Sequence, residues 1–195
     1  MKSIIKISPL LFLGLFFSPE VAHAHLIGGN GLTSGITHPL FGLDHLLAMV
    51  AVGIISTQIS GKAIWKIPAT FVVFMIIGAL LAIGGIGMPI AETGIALSIL
   101  FLGASIAYAK NIPIHLAILC VALFAVFHGH AHGDELPAIA SPALYATGFL
   151  LSTTLLHIMG VLIGHYAHKT QPTLKLLHYA GAGMSVMGLF FLFGY

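Results

Sequence analysis

Arginine is absent from this 195-residue sequence, and charge of either sign is scarce, with seven lysines and five carboxylates making up 6% of the chain. A soluble domain carries roughly 25% charged residues, so an ordinary water-facing surface is excluded. A formal net charge of +2 also excludes the dense basic surface that nucleic acid or anionic headgroups require. The single cysteine, Cys120, stands in an apolar run. It makes no intrachain disulfide and gives no reading of redox compartment, and it is expected as small core packing rather than as a thiolate ligand. No G-x4-GK[ST] loop is present, so ATP binding and hydrolysis by this chain are not expected. No internal repeat is strong enough to indicate an inverted-repeat transporter fold.

What remains is apolar. Hydrophobic residues make up 58% of the chain and the mean hydropathy is +1.08, the composition of an integral membrane protein. At the amino terminus, Lys2 and Lys6 precede the apolar run Ile7 to Phe17, and Ala22-His23-Ala24 follows as an A-x-A cleavage site. Residues 1–24 therefore read as a secretory signal peptide, too short in its apolar part to persist as a span. Cleavage would make His25 the first residue, and an α-amine beside an imidazole is a bidentate metal chelate. The plainer reading is that any residue can follow a signal peptide.

Residues 25–195 then offer six apolar stretches of about 20 residues, at 36–58, 64–84, 90–109, 112–131, 143–166 and 174–194. Short Gly, Pro and polar connections join them. The expected fold is an all-α, polytopic membrane helical bundle in one domain. Lys62 and Lys66 follow the first span, Lys110 the third, and Lys169 and Lys175 the fifth. The positive-inside rule makes those alternate loops cytoplasmic, which leaves both mature termini outside, as a signal peptide also requires. Asp44, Glu92, Asp134 and Glu135 fall at the opposite, outer ends. Cys120 aside, the scattered methionines and the Gly160/Gly164 pair read as core filling and close helix packing.

The twelve histidines equal all lysines and carboxylates together. The first span opens HPLFGLDHLLAMVAVG, in which Pro39 suits a first helical turn. On one continuous helix His38, His45 and Met49 would share a face. Asp44 would lie about 100° from His45, able to ligate beside it or to orient its ring. A carboxylate within a span costs roughly 3 kcal/mol on insertion scales, so it calls for a function. The fourth span ends FHGHAHGDE, Phe127 to Glu135. His128 and His132 share a helical face at metal-ligand spacing, while Gly129 and Gly133 weaken that helix and leave open an unwound segment lining a cavity. The two polar ends should meet at one level, joined by Glu92.

A lone histidine in a span is plainly read as a ring bonded to headgroups or loop carbonyls. Six polar groups together call for a shared cause, and His38, Asp44, His45, His128, His132 and Glu135 form the candidate metal site, with His25, Met49, Glu92, His130, Asp134 and His157 as secondary candidates. Imidazole and carboxylate without thiolate suit divalent Ni, Co, Zn, Cu or Fe, and ligand type alone does not choose. His157, inside the fifth span, is either an intermediate ligand or an interhelical hydrogen-bonding group.

At these residues the chain resembles the HupE/UreJ family of hydrogenase and urease accessory membrane proteins. The likeness rests on His38-x5-Asp44-His45 and on an FHG-x-A-HG-x-E pattern at Phe127, His128, Gly129, Ala131, His132, Gly133 and Glu135, and it extends over the signal peptide and all six spans. His130 occupies the variable position. The resemblance implies a secondary permease of the bacterial inner membrane for Ni²⁺, or in some members Co²⁺, that supplies hydrogenase, urease or cobalamin synthesis. It also implies that His38, Asp44, His45, His128, His132 and Glu135 serve transport. Zn²⁺ and Cu²⁺ stay open as substrates, no prosthetic group or nucleic-acid partner is expected, and a homo-oligomer in the bilayer is compatible with the sequence. Two rivals stand beside this reading: an intramembrane zinc hydrolase with Glu135 as general base, and a periplasm-facing module that binds or senses metal without moving it.

Overall fold

A computed structural model describes residues 31–59, 64–108, 112–136 and 141–194. The expected signal peptide, His25, Lys62 and Lys110 lie outside the described residues. Seven helices run through them: α1 Gly31–Phe41, α2 Leu43–Ile59, α3 Lys66–Ile83, α4 Ala91–Tyr108, α5 Ile114–Glu135, α6 Pro142–Ala167 and α7 Gln171–Phe193. Hydrocarbon offers backbone groups no partner, so a membrane-spanning chain satisfies them within helices. Prolines open α6 and α7, where a missing N–H costs nothing. The Thr170 hydroxyl accepts the Thr173 N–H at the start of α7.

Helices α3 to α7 are each long and apolar enough to cross a bilayer, and α1 with α2 is a bent pair that makes either a sixth, broken crossing or a re-entrant segment. Large side chains such as Leu80, Phe101, Leu119, Leu155, Leu162 and Phe193 face outward, an apolar surface that water would not tolerate and lipid solvates. The protein is a multi-pass membrane helical bundle. The expected spans match these elements closely at five of the six positions.

The first span differs. Expected as one helix over 36–58, it is two helices bent by 78° around Gly42. Pro39, expected in a first turn, sits instead in the last turn of α1, because that helix already starts at Gly31. A proline there removes one backbone donor from the ladder. Beyond the bend Asp44 restarts the helix, its Oδ1 accepting the His45 N–H at 2.8 Å, as an acidic residue in a first turn does.

Tight pairs organise the bundle: α3 with α5, α4 with α7, and α6 with both α1 and α2. The reading of Gly129 and Gly133 as points of unwinding is corrected, since α5 is helical through Glu135. A Cβ at Gly129 would run into the Met75 carbonyl of α3, so its role is close approach between parallel helices. Gly160 does the same for α6 against Val50 and Gly53 of α2, as the sequence reading expected. Cys120, expected in the core, is exposed on the outward face of α5 beside Leu116, Leu119 and Leu123. Its apolar run is apolar all round, and periodicity cannot tell lipid from core in such a run.

Lys66 opens α3, while Lys169 and Lys175 flank the start of α7. Glu92 opens α4, and Asp134 and Glu135 close α5. In a bundle of alternating crossings these are opposite ends.

Candidate metal centre

The bend at Gly42 turns the last turn of α1 and the first turn of α2 toward each other and toward the last turn of α5. His38 and His45 thereby meet across the break, ring centroids 5.7 Å apart. The expected shared helical face is not what joins them. His132 of α5 completes the group, 4.7 Å from the His38 ring and 4.4 Å from the His45 ring. One ring nitrogen from each of His38, His45 and His132 lies within 4.8 Å of the other two. Nitrogens bound at 2.0–2.1 Å to one ion stand roughly 3–4 Å apart, so small side-chain shifts bring the three onto a common cation. His45 and His132 are buried and His38 is half-buried.

Carboxylates border the cluster on two sides. Asp44 Oδ1 lies 2.8 Å from His45 Nδ1, and the same oxygen accepts the His45 backbone N–H. Glu135 Oε2 lies 3.8 Å from His38 Nε2 and 3.7 Å from His132 Nδ1. Two carboxylates beside three imidazoles match the charge of one dication. Glu92 is within electrostatic reach of both Asp44 and His45, on the rim where the sequence reading put it.

His128 lies one turn deeper on α5, its ring 5.4 Å from that of His45, and it is fully buried. Its Nδ1 lies 2.9 Å from the Phe124 carbonyl. A carbonyl only accepts, so Nδ1–H donates, and the Nε2 lone pair is left for a ligand. Met49 is fully buried one turn below His45 on α2.

The sequence model of the HupE / UreJ protein family matches residues 11–191. The chain belongs to the HupE/UreJ family. A curated relative, Protein HupE of Rhizobium leguminosarum bv. viciae, is 44% identical over 144 residues, 73% of this chain and 75% of that protein. No solved structure matches the chain.

In this HupE/UreJ protein both histidine motifs lie inside the matched region, and the fold brings six of their side chains together: His38, Asp44, His45, His128, His132 and Glu135. Two secondary candidates turn elsewhere. His130 is buried, with Nε2 2.6 Å from the Ile86 carbonyl in the α3–α4 connection, and Nδ1 3.2 Å from the exposed Asp134 carboxylate. Two residues are about 200° of an α-helix, which puts His130 on the α3 side while His128 and His132 face α2.

Tyr145 and Phe149 of α6 wall the HupE/UreJ cluster and were not foreseen. Phe149 lies 4.2 Å from the His132 ring and Tyr145 5.9 Å from the His38 ring. The Tyr145 hydroxyl is buried without a hydrogen-bond partner among the described residues. The available signal was a tyrosine in the first turn of a span at the level of both motifs, with an aromatic residue four positions on.

Proposed function

We propose that residues 25–195, after removal of a signal peptide at 1–24, form a secondary permease that takes a divalent transition-metal ion, Ni²⁺ or Co²⁺, into the cell across the bacterial inner membrane. One observation carries the reading: three histidines with two carboxylates stand at one end of an apolar bundle, and buried histidines continue from them toward its interior. In this reading both mature termini and the cluster face outside, and the lysine-bearing ends face the cytoplasm.

The ion reaches the cluster partly hydrated and exchanges water for His38, His45 and His132. Asp44 and Glu135 offset its charge, which a dication entering low dielectric requires. His128, whose Nε2 points its lone pair away from Phe124, takes the ion next. An inward-negative potential supplies about 4.6 kcal/mol per 100 mV for a double charge, twice the single-charge value. The metal serves enzyme maturation of the hydrogenase or urease type, or cobalamin synthesis, which is what the family resemblance implies.

The test is ⁶³Ni²⁺ and ⁵⁷Co²⁺ uptake into energised cells expressing the full chain. Uptake lost in His45→Ala and in His128→Ala at unchanged protein level supports the proposal, and uptake indifferent to both substitutions contradicts it.

A further inference from the structure

Beneath the cluster, a single phenyl ring is in contact with two fully buried histidines on different helices. Phe71 of α3 has no exposed surface, and neither His128 of α5 nor His157 of α6 exceeds 1% exposure. The Phe71 ring lies 5.4 Å from that of His128 and 5.1 Å from that of His157, edge to face on both sides. Among the described residues neither the His128 Nε2 nor the His157 Nε2, both buried, has a hydrogen-bond partner, nor has the buried hydroxyl of Thr153, one turn before His157 on α6. Ser56 and Ser98, equally buried, instead bond the carbonyls three residues back. Unsatisfied polar atoms in an apolar interior are costly, and two of them on rings that touch the same phenyl group call for a common purpose.

We propose that Phe71 is the gate of the permeation path, its ring closing the passage between His128 and an inner station at His157 Nε2. The inference rests on the permease reading and adds to it the point of closure and the next polar stop. Phe71 is a positioning residue here, since it binds no metal through an atom of its own.

The packing shows which part is free to move. A Cβ at Gly78 would meet the Val126 carbonyl, and one at Gly129 the Met75 carbonyl, so the backbones of α3 and α5 are locked together around Phe71. Contacts between α3 and α6 are sparse. Opening is therefore a rotation of the Phe71 side chain between staggered wells, without sliding of helices. An aromatic face also tolerates a passing cation where an aliphatic side chain offers it nothing.

The test uses the full chain with Cys120→Ser and His157→Cys in vesicles, and Ag⁺ as a small probe that caps the new thiol. Ag⁺ is added from the face bearing His38 and Glu135, or from the opposite face, and remaining thiol is counted after denaturation. A gate open for ~10% of the time or less makes capping from the cluster face at least about 10-fold faster once Phe71→Ala removes the ring. Capping from the opposite face stays the same. An unchanged rate from the cluster face overturns the gate, as does an equal rise from both faces, which reports a loosened fold. Phe71→Val, which keeps an apolar surface but leaves part of the ring's volume open, is expected to give a smaller one-sided rise and decides the matter if Phe71→Ala does not fold. Ni²⁺ flux through the unsubstituted chain is measured in parallel vesicles: its absence overturns the permease reading, while the Ag⁺ rates alone decide the role of Phe71.

Discussion

Asp44 Oδ1 stands 2.8 Å from His45 Nδ1 and accepts the His45 backbone N–H at the same distance. One oxygen thus starts α2 and orients the ring that α2 presents to His38 and His132. Asp44→Asn keeps the size and removes the charge. Metal affinity is expected to fall 10–100-fold, the usual cost of losing a carboxylate that orients a ligating histidine, with little change in thermal stability. Ni²⁺ titration of the purified protein measures the first quantity and a melting curve in detergent the second.

His130 and His132 differ in what they touch, and their alanine substitutions should separate. His130→Ala leaves the Ile86 carbonyl without its partner at 2.6 Å, costing about 1–3 kcal/mol of stability, while Ni²⁺ affinity is retained. His132→Ala removes one of the three clustered nitrogens and is expected to abolish tight Ni²⁺ binding. Melting temperature and Ni²⁺ affinity, taken together on both variants, check the contrast.

Gly129 and Gly183 give a paired test of the packing. A methyl group at Gly129 meets the Met75 carbonyl, whereas one at Gly183 has nothing within 4 Å. Gly129→Ala must push α3 and α5 apart and is expected to cost roughly 1–3 kcal/mol or more, as overpacking does. Gly183→Ala should leave stability unchanged. Folded yield and melting temperature of the two variants decide it.

The placing of the five unbroken crossings was legible because a span advertises itself by about 20 apolar residues between polar ends. Both histidine motifs were legible because polar groups in so apolar a chain are conspicuous. The break at Gly42 was not, since Pro39 and Gly42 fit equally a helix start and a helix interruption, and only the packing of α1 and α2 on α6 selects the latter. Gly129 was ambiguous for a related reason: a glycine weakens a lone helix but admits a close neighbour, and the neighbour, Met75, lies more than fifty positions earlier in the chain. Phe71 carried no local sign, because its meaning comes from rings on other helices, and Tyr145 and Phe149 showed only an aromatic spacing at the start of a span. The outward side of Cys120 was hidden because the run 116–126 around it has no polar residue to mark a face.

The central claim is movement of a divalent metal by way of the three-histidine cluster. Its most direct measurement is Ni²⁺ and Co²⁺ flux into proteoliposomes holding the purified full chain under an imposed inward-negative potential, with a His38→Ala/His45→Ala/His132→Ala variant alongside. The account predicts potential-driven accumulation by the unsubstituted protein and none by the triple variant. Tight metal binding without flux, or flux that survives loss of the three histidines, would contradict it.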